Sequence, residues 1–242
     1  MSLENININI VEQPTKLPIK HTPLEQQFKE NHFRHGPLFS NNLRAIICGS
    51  SGCGKSTLLF NLLLHKNGLK YMNIYIFCKT VASQEKYINL KKIYALVPEI
   101  KFISFSKNED ILTPNECKPN SIVIFDDIPL DKNSRDKIKQ FFSFGRHNNL
   151  DVFYLIQSYA SASKHNLRDN VNLICLFRSD NLNLEHIYKD SCSTDCSFNV
   201  FKKICNLSWE KGGKFGFLVI DKERSKADGR FRIGFDKFIK IN

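Results

Sequence analysis

Residues 43–66 read LRAIICGSSGCGKSTLLFNLLLHK. The apolar run 43–48 has strand length and stops at Gly49, after which Leu58, Leu59, Leu62 and Leu63 return at helical spacing. Between the two runs, Gly49 to Thr57 match G-x-x-x-x-G-K-[ST], a loop that cradles phosphates. Glycine lets such a loop curl until successive N–H groups point inward at phosphate oxygens, and the following helix adds the positive end of its dipole. The pattern assigns phosphate contacts to Gly49, Ser50, Ser51, Gly52, Cys53, Gly54, Lys55, Ser56 and Thr57, with Cys53 filling a variable position. Lys55 reaches the β and γ phosphates of a nucleoside triphosphate, and the Ser56 hydroxyl ligates Mg²⁺. A bland glycine-rich turn needs neither the strand before nor the helix after.

Outward from this loop the chain alternates. Apolar strands are predicted at 72–78, 101–105, 121–127, 151–157 and 171–177, with helices at 82–96 and 133–146. Further on, the pattern gives helices within 182–208 and strands at 215–220 and 230–236. Such alternation predicts an α/β fold, a mostly parallel sheet flanked by helices on both faces. SIVIFDD (121–127) sets Asp126 at the carboxyl end of an apolar strand, where open α/β sheets gather ligand chemistry. Asp126 is assigned to the metal, directly or through water, and Asp127 is the candidate general base. The competing reading has one of the pair capping the helix that starts near Asp131 or Lys132. DVFYLIQ (151–157) ends in Gln157, a γ-phosphate sensor or water holder if its strand lies beside that of Asp126, and otherwise a glutamine opening a loop. Arg146 and Arg168 are candidates for an arginine finger acting on a neighbouring subunit, each also readable as a surface charge or a DNA phosphate contact.

The chain has 242 residues, Lys+Arg 35 against Asp+Glu 24, and a net charge of +11. That length fits one large domain, and the charge points to polyanionic partners. Residues 1–40, with Pro14, Pro18, Pro23 and Pro37, read as an N-terminal arm whose early Ile/Asn alternation can add an edge strand; 41–242 read as the core domain. No apolar run is long enough to span a membrane, and eight scattered cysteines read as reduced thiols, so a soluble intracellular protein is expected. His186, Cys192, Cys196 and Cys205 lack the paired spacing of strong zinc signatures. Trp209 reads as core or interface. Lys132, Arg135, Lys137, Lys139, Arg146, His147, Lys164, His165 and Arg168 surround the helix and loop after the Asp pair, either as a DNA-channel lining or as ordinary solvated charge.

The phosphate loop, the Asp126–Asp127 pair, FGRHNNLDVFYLIQS and KHNLRDNVNLICLFRSD in this order resemble the packaging ATPases of the FtsK-HerA superfamily, above all those of poxviruses, virophages and Polinton-type elements. The resemblance covers roughly residues 36 to 220. It implies a RecA-like (ASCE) P-loop ATPase that uses ATP and Mg²⁺, assembles into a homo-oligomeric hexamer or pentamer ring, and pumps double-stranded DNA into a preformed capsid. It further implies capsid or portal vertex partners, no membrane, and a place in the host cytoplasm, the viral factory or the virion. The family's metal aspartate, adjacent acid, sensor glutamine and basic finger map onto Asp126, Asp127, Gln157 and Arg146 or Arg168. Two readings compete: a P-loop small-molecule kinase, and an ATP-gated DNA-binding assembly component with little turnover.

Overall fold

The computed structural model describes residues 35, 36, 38–128 and 131–241. Nearly all of the expected arm, including its Ile/Asn alternation, lies outside them. In chain order the described elements are β1 (Arg44–Cys48), α1 (Lys55–Leu64), β2 (Asn73–Cys78), α2 (Glu85–Ala95), β3 (Lys101–Phe105), β4 (Ser121–Asp126), α3 (Lys132–Phe144), β5 (Leu150–Ile156), β6 (Leu173–Phe177), α4 (Asn181–Ser191), α5 (Phe198–Lys211), β7 (Phe217–Asp221), β8 (Phe231–Ile233) and β9 (Lys237–Ile239).

β4 shows why its sequence is a continuous apolar run. Ile122 and Ile124 pack on one face of the sheet and Val123 and Phe125 on the other, all fully buried. The first face is covered by α1 and α2 through Leu59, Leu62, Tyr87 and Leu90. The second is covered by α3, α4 and α5 through Phe141, Ile187, Phe201 and Trp209. The described strands form one sheet in the order β3-β2-β4-β5-β1-β6-β7-β8-β9. Pairing is parallel from β3 to β6 and antiparallel from β6 to β9. β5 lies between the strand that feeds the phosphate loop and the strand that carries Asp126. Crossover connections return every parallel strand in the same direction, so the loops after β1, β4 and β5 open at one edge of the sheet.

The helices expected within 182–208 are α4 and α5, the first ending at Cys192 and the second capped by Ser197, whose hydroxyl accepts from the Val200 N–H. The last strand, β9, pairs with β8 (Phe231↔Ile239) where no strand was expected, since three residues are too few to show a period. Among the described residues no helix is long and apolar enough to cross a membrane.

Candidate active site

The loop between β1 and α1 is built by backbone geometry. Gly54 holds φ 113° as it enters α1, a region that L side chains rarely adopt. A Cβ on Gly49 would lie 2.6 Å from Phe177 Cβ, so no larger residue lets the loop pass β6. The Gly49 N–H donates to the Ile156 carbonyl (3.1 Å), tying the start of the loop to β5. No side chain caps α1, and its first turn carries no acid, which leaves its N-terminal end to an anion. Lys55 Nζ donates to the carbonyls of Gly49 (2.7 Å) and Ser50 (2.9 Å), across the mouth of the loop.

The acidic pair divides at the end of β4. Asp126 is 7% exposed and keeps the parity of Ile122 and Ile124, so it faces α1 and α2. There Tyr87 Oη donates to its Oδ2 (2.5 Å). Burial pushes the Asp126 carboxyl above its ordinary range, opposed by the Tyr87 hydrogen bond, the Lys55 charge and a hydrogen bond from Ser56. Burial, then the Asp126 charge, drives the Tyr87 phenol far upward, so it stays a donor. Ser56 and Asp126 therefore bring two oxygen donors together beside Lys55. Mg²⁺ takes one or two protein oxygens and completes its shell with phosphates and water, so this pair fits it.

Asp127 leaves the strand at φ 52°, a left-handed turn that Asp tolerates better than most residues, and is exposed. It does not cap the next helix. Asp131 does, accepting from the Ser134 N–H at 2.9 Å and the Ser134 hydroxyl at 2.6 Å. β5 lies beside β4 with Asp126 opposite Leu155, which sets Gln157 at the same edge. Lys55, Ser56, Asp126, Asp127 and Gln157 all line one cavity of about 590 Å³.

Neither arginine lines this cavity. Arg146 is exposed in a 3₁₀ turn (Gly145–Asn148) at the start of β5, electrostatically close to Arg44 at the start of β1. The whole length of β5 separates it from its own phosphate loop, about 20 Å at 3.3 Å per residue. Arg168 is 5% exposed, its Nε 3.4 Å from Asp190 Oδ2 and its guanidinium over the Tyr159 ring (5.2 Å). Packed in this way, the Arg168 side chain is buried within its own chain. Of the other basic residues, Lys137 donates to the Ile111 carbonyl (2.5 Å) and Lys139 pairs with Asp136 (3.1 Å). Lys132, Arg135, His147, Lys164 and His165 are exposed.

All eight cysteines are free thiols, and among the described residues no His, Cys, Asp or Glu cluster can hold a metal, so His186, Cys192, Cys196 and Cys205 form none. Burial pushes the Cys48 thiol up to about 11.

The model of the Poxvirus A32 protein family matches residues 30–211. The chain belongs to this family. That membership agrees with the poxvirus-type resemblance read from residues 36 to 220, and the P-loop α/β fold is as expected. No curated protein matches the chain. Among solved structures, it is similar to the genome packaging NTPase B204 of Sulfolobus turreted icosahedral virus 2 in complex with AMP, with TM-score 0.51 at 14% identity, covering 84% of this chain and 100% of that one. It is also similar to B204, the DNA-packaging ATPase of Sulfolobus turreted icosahedral virus, with TM-score 0.50 at 15% identity, covering 82% and 97%. At these identities the likeness is one of fold.

Several residues of this A32-family site escaped the sequence reading. Tyr87 holds Asp126, and Lys86 Nζ donates to Thr57 Oγ1 (2.8 Å) at the cavity wall. Both sit on α2, and nothing in the spacing of α2 indicates which strand end it covers. Phe215 lines the cavity at Gly54 and is 54% exposed, an unusual position for a phenylalanine.

Proposed function

We propose that this chain is an ATPase that drives double-stranded DNA into a viral capsid as one subunit of a homo-oligomeric ring. The observation that carries the chemistry is the meeting of Lys55, Ser56, Asp126, Asp127 and Gln157 in one cavity at the carboxyl edge of the parallel strands. Membership in the A32 family and a fold shared with B204 support packaging as the work done. In this reading the loop N–H groups and the positive end of α1 bind the triphosphate, and Lys55 exchanges two loop carbonyls for phosphate oxygens. Ser56 and Asp126 would hold Mg²⁺, which would neutralise charge on the β and γ oxygens. Tyr87 fixes the Asp126 carboxylate by its hydrogen bond. Asp127 takes the proton of the attacking water, and the Gln157 amide orients that water. Arg146, too far from its own cavity, serves the cavity of the next subunit. Hexamer or pentamer geometry, capsid or portal partners and a location in host cytoplasm, viral factory or virion follow from the same reading.

Asp127→Asn separates an enzyme from a nucleotide-gated assembly component. The variant retains ATP affinity and releases phosphate about 10²- to 10⁴-fold more slowly, as expected for loss of a general base. Unchanged phosphate release removes Asp127 from catalysis, and wild-type protein that binds ATP without releasing phosphate supports the assembly component.

A further inference from the structure

A second cavity, of about 300 Å³, abuts the outer wall of the phosphate loop at 50–53, on the β6 side. Arg178, just past β6, and Lys214, in the turn after α5, form its sides, with Trp209 at its back. Trp209 is 5% exposed, and its Nε1 donates to the Leu176 carbonyl (3.0 Å), which fixes the plane of the indole. The Arg178 guanidinium lies over that indole, 5.8 Å from its centroid, and is exposed. Lys214 Nζ stands 5.4 Å over the ring of Phe215, which lines the neighbouring catalytic cavity. None of these groups has a part in hydrolysis.

We propose that this cavity takes the base of the bound nucleoside triphosphate, stacked on the Arg178 guanidinium with Trp209 behind it. The inference rests on the ATP-site reading and deepens it. Asp127 and Gln157 place the reacting end of the triphosphate on the β4–β5 side of the loop, so the nucleoside leaves the loop on its other side, beside β6. That is where the second cavity opens. A planar cation backed by an aromatic ring offers a π-face that any base can cover. The lining contains no carboxylate or carboxamide side chain to read the edge of a base. The site therefore grips the ring by its face and discriminates weakly between ATP and GTP.

The test uses the full chain, with calorimetry and the emission of Trp209, the only tryptophan. The probes are ATP, GTP and inorganic tripolyphosphate, each with Mg²⁺. ATP and GTP change the emission and bind within about tenfold of each other, whereas tripolyphosphate binds without the emission change. Arg178→Ala weakens ATP binding about tenfold and spares tripolyphosphate, in line with loss of one stacked base. Arg178→Lys, which keeps the charge without the plane, behaves as Arg178→Ala does. Equal weakening of ATP and tripolyphosphate overturns the proposal in favour of a plain charge effect. Wild-type ATP affinity in Arg178→Ala, with both ligands lost in Lys55→Ala, also overturns it and leaves the phosphate site standing. If Lys55→Ala binds both ligands as the wild type does, the phosphate-site reading fails, and the proposal with it.

Discussion

Asp126 and Asp127 are neighbours with different surroundings because the strand ends between them. Asp126 keeps the alternation of β4 and is buried against α2; Asp127 turns out at φ 52° into the cavity. The position of Asp126 was legible, because the apolar run of β4 ends on it and so sets it at the carboxyl edge of the sheet. Its partner was not. Tyr87 is separated from it by two strands and two loops, and only the strand order brings α2 over the end of β4. Tyr87→Phe leaves a buried carboxylate without its donor and should lower unfolding free energy by about 1–3 kcal/mol in denaturant titrations. Gly54→Ala forces φ 113° on a residue with a Cβ, which would sit 3.3 Å from Phe215 Cδ1. It should cost about 1–3 kcal/mol of stability and weaken ATP binding in calorimetry.

At the scale of elements, α3 decides the reading of the acidic pair. Its cap is Asp131, so neither Asp126 nor Asp127 is used there. The two Ser134 donors hold the Asp131 carboxyl below the usual carboxylate range. A pKa depressed on folding gives stability that is present above the unfolded value and is lost as pH falls through the folded one. The difference in thermal midpoint between wild type and Asp131→Ala should therefore shrink as pH falls from about 5 to about 2. The parallel strands were readable because both faces are covered, which makes their sequences continuously apolar. The edge strand β9 was not, because a three-residue pairing carries little periodic signal. Arg168 lies at the same limit. Its sequence suits a finger as well as Arg146 does, and only the packing of Asp190 and Tyr159 around it separates the two.

For the whole molecule, the net charge of +11 and the exposed Lys132 and Lys164 suit a DNA backbone bound without regard to sequence, so affinity for duplex DNA should fall steeply with salt. An arginine remote from its own cavity predicts sites shared between subunits. Arg146→Ala and Asp127→Asn should each be inactive alone, and mixing them should restore phosphate release, because the second supplies the finger to the first; a mixture as inactive as its parts counts against sharing. The most direct measurement of the central claim is steady-state phosphate release from Mg·ATP by the assembled protein, with and without double-stranded DNA. The prediction is turnover that rises on adding DNA and disappears in Lys55→Ala; turnover indifferent to DNA, or surviving in Lys55→Ala, would contradict a DNA-driven motor working from this phosphate loop.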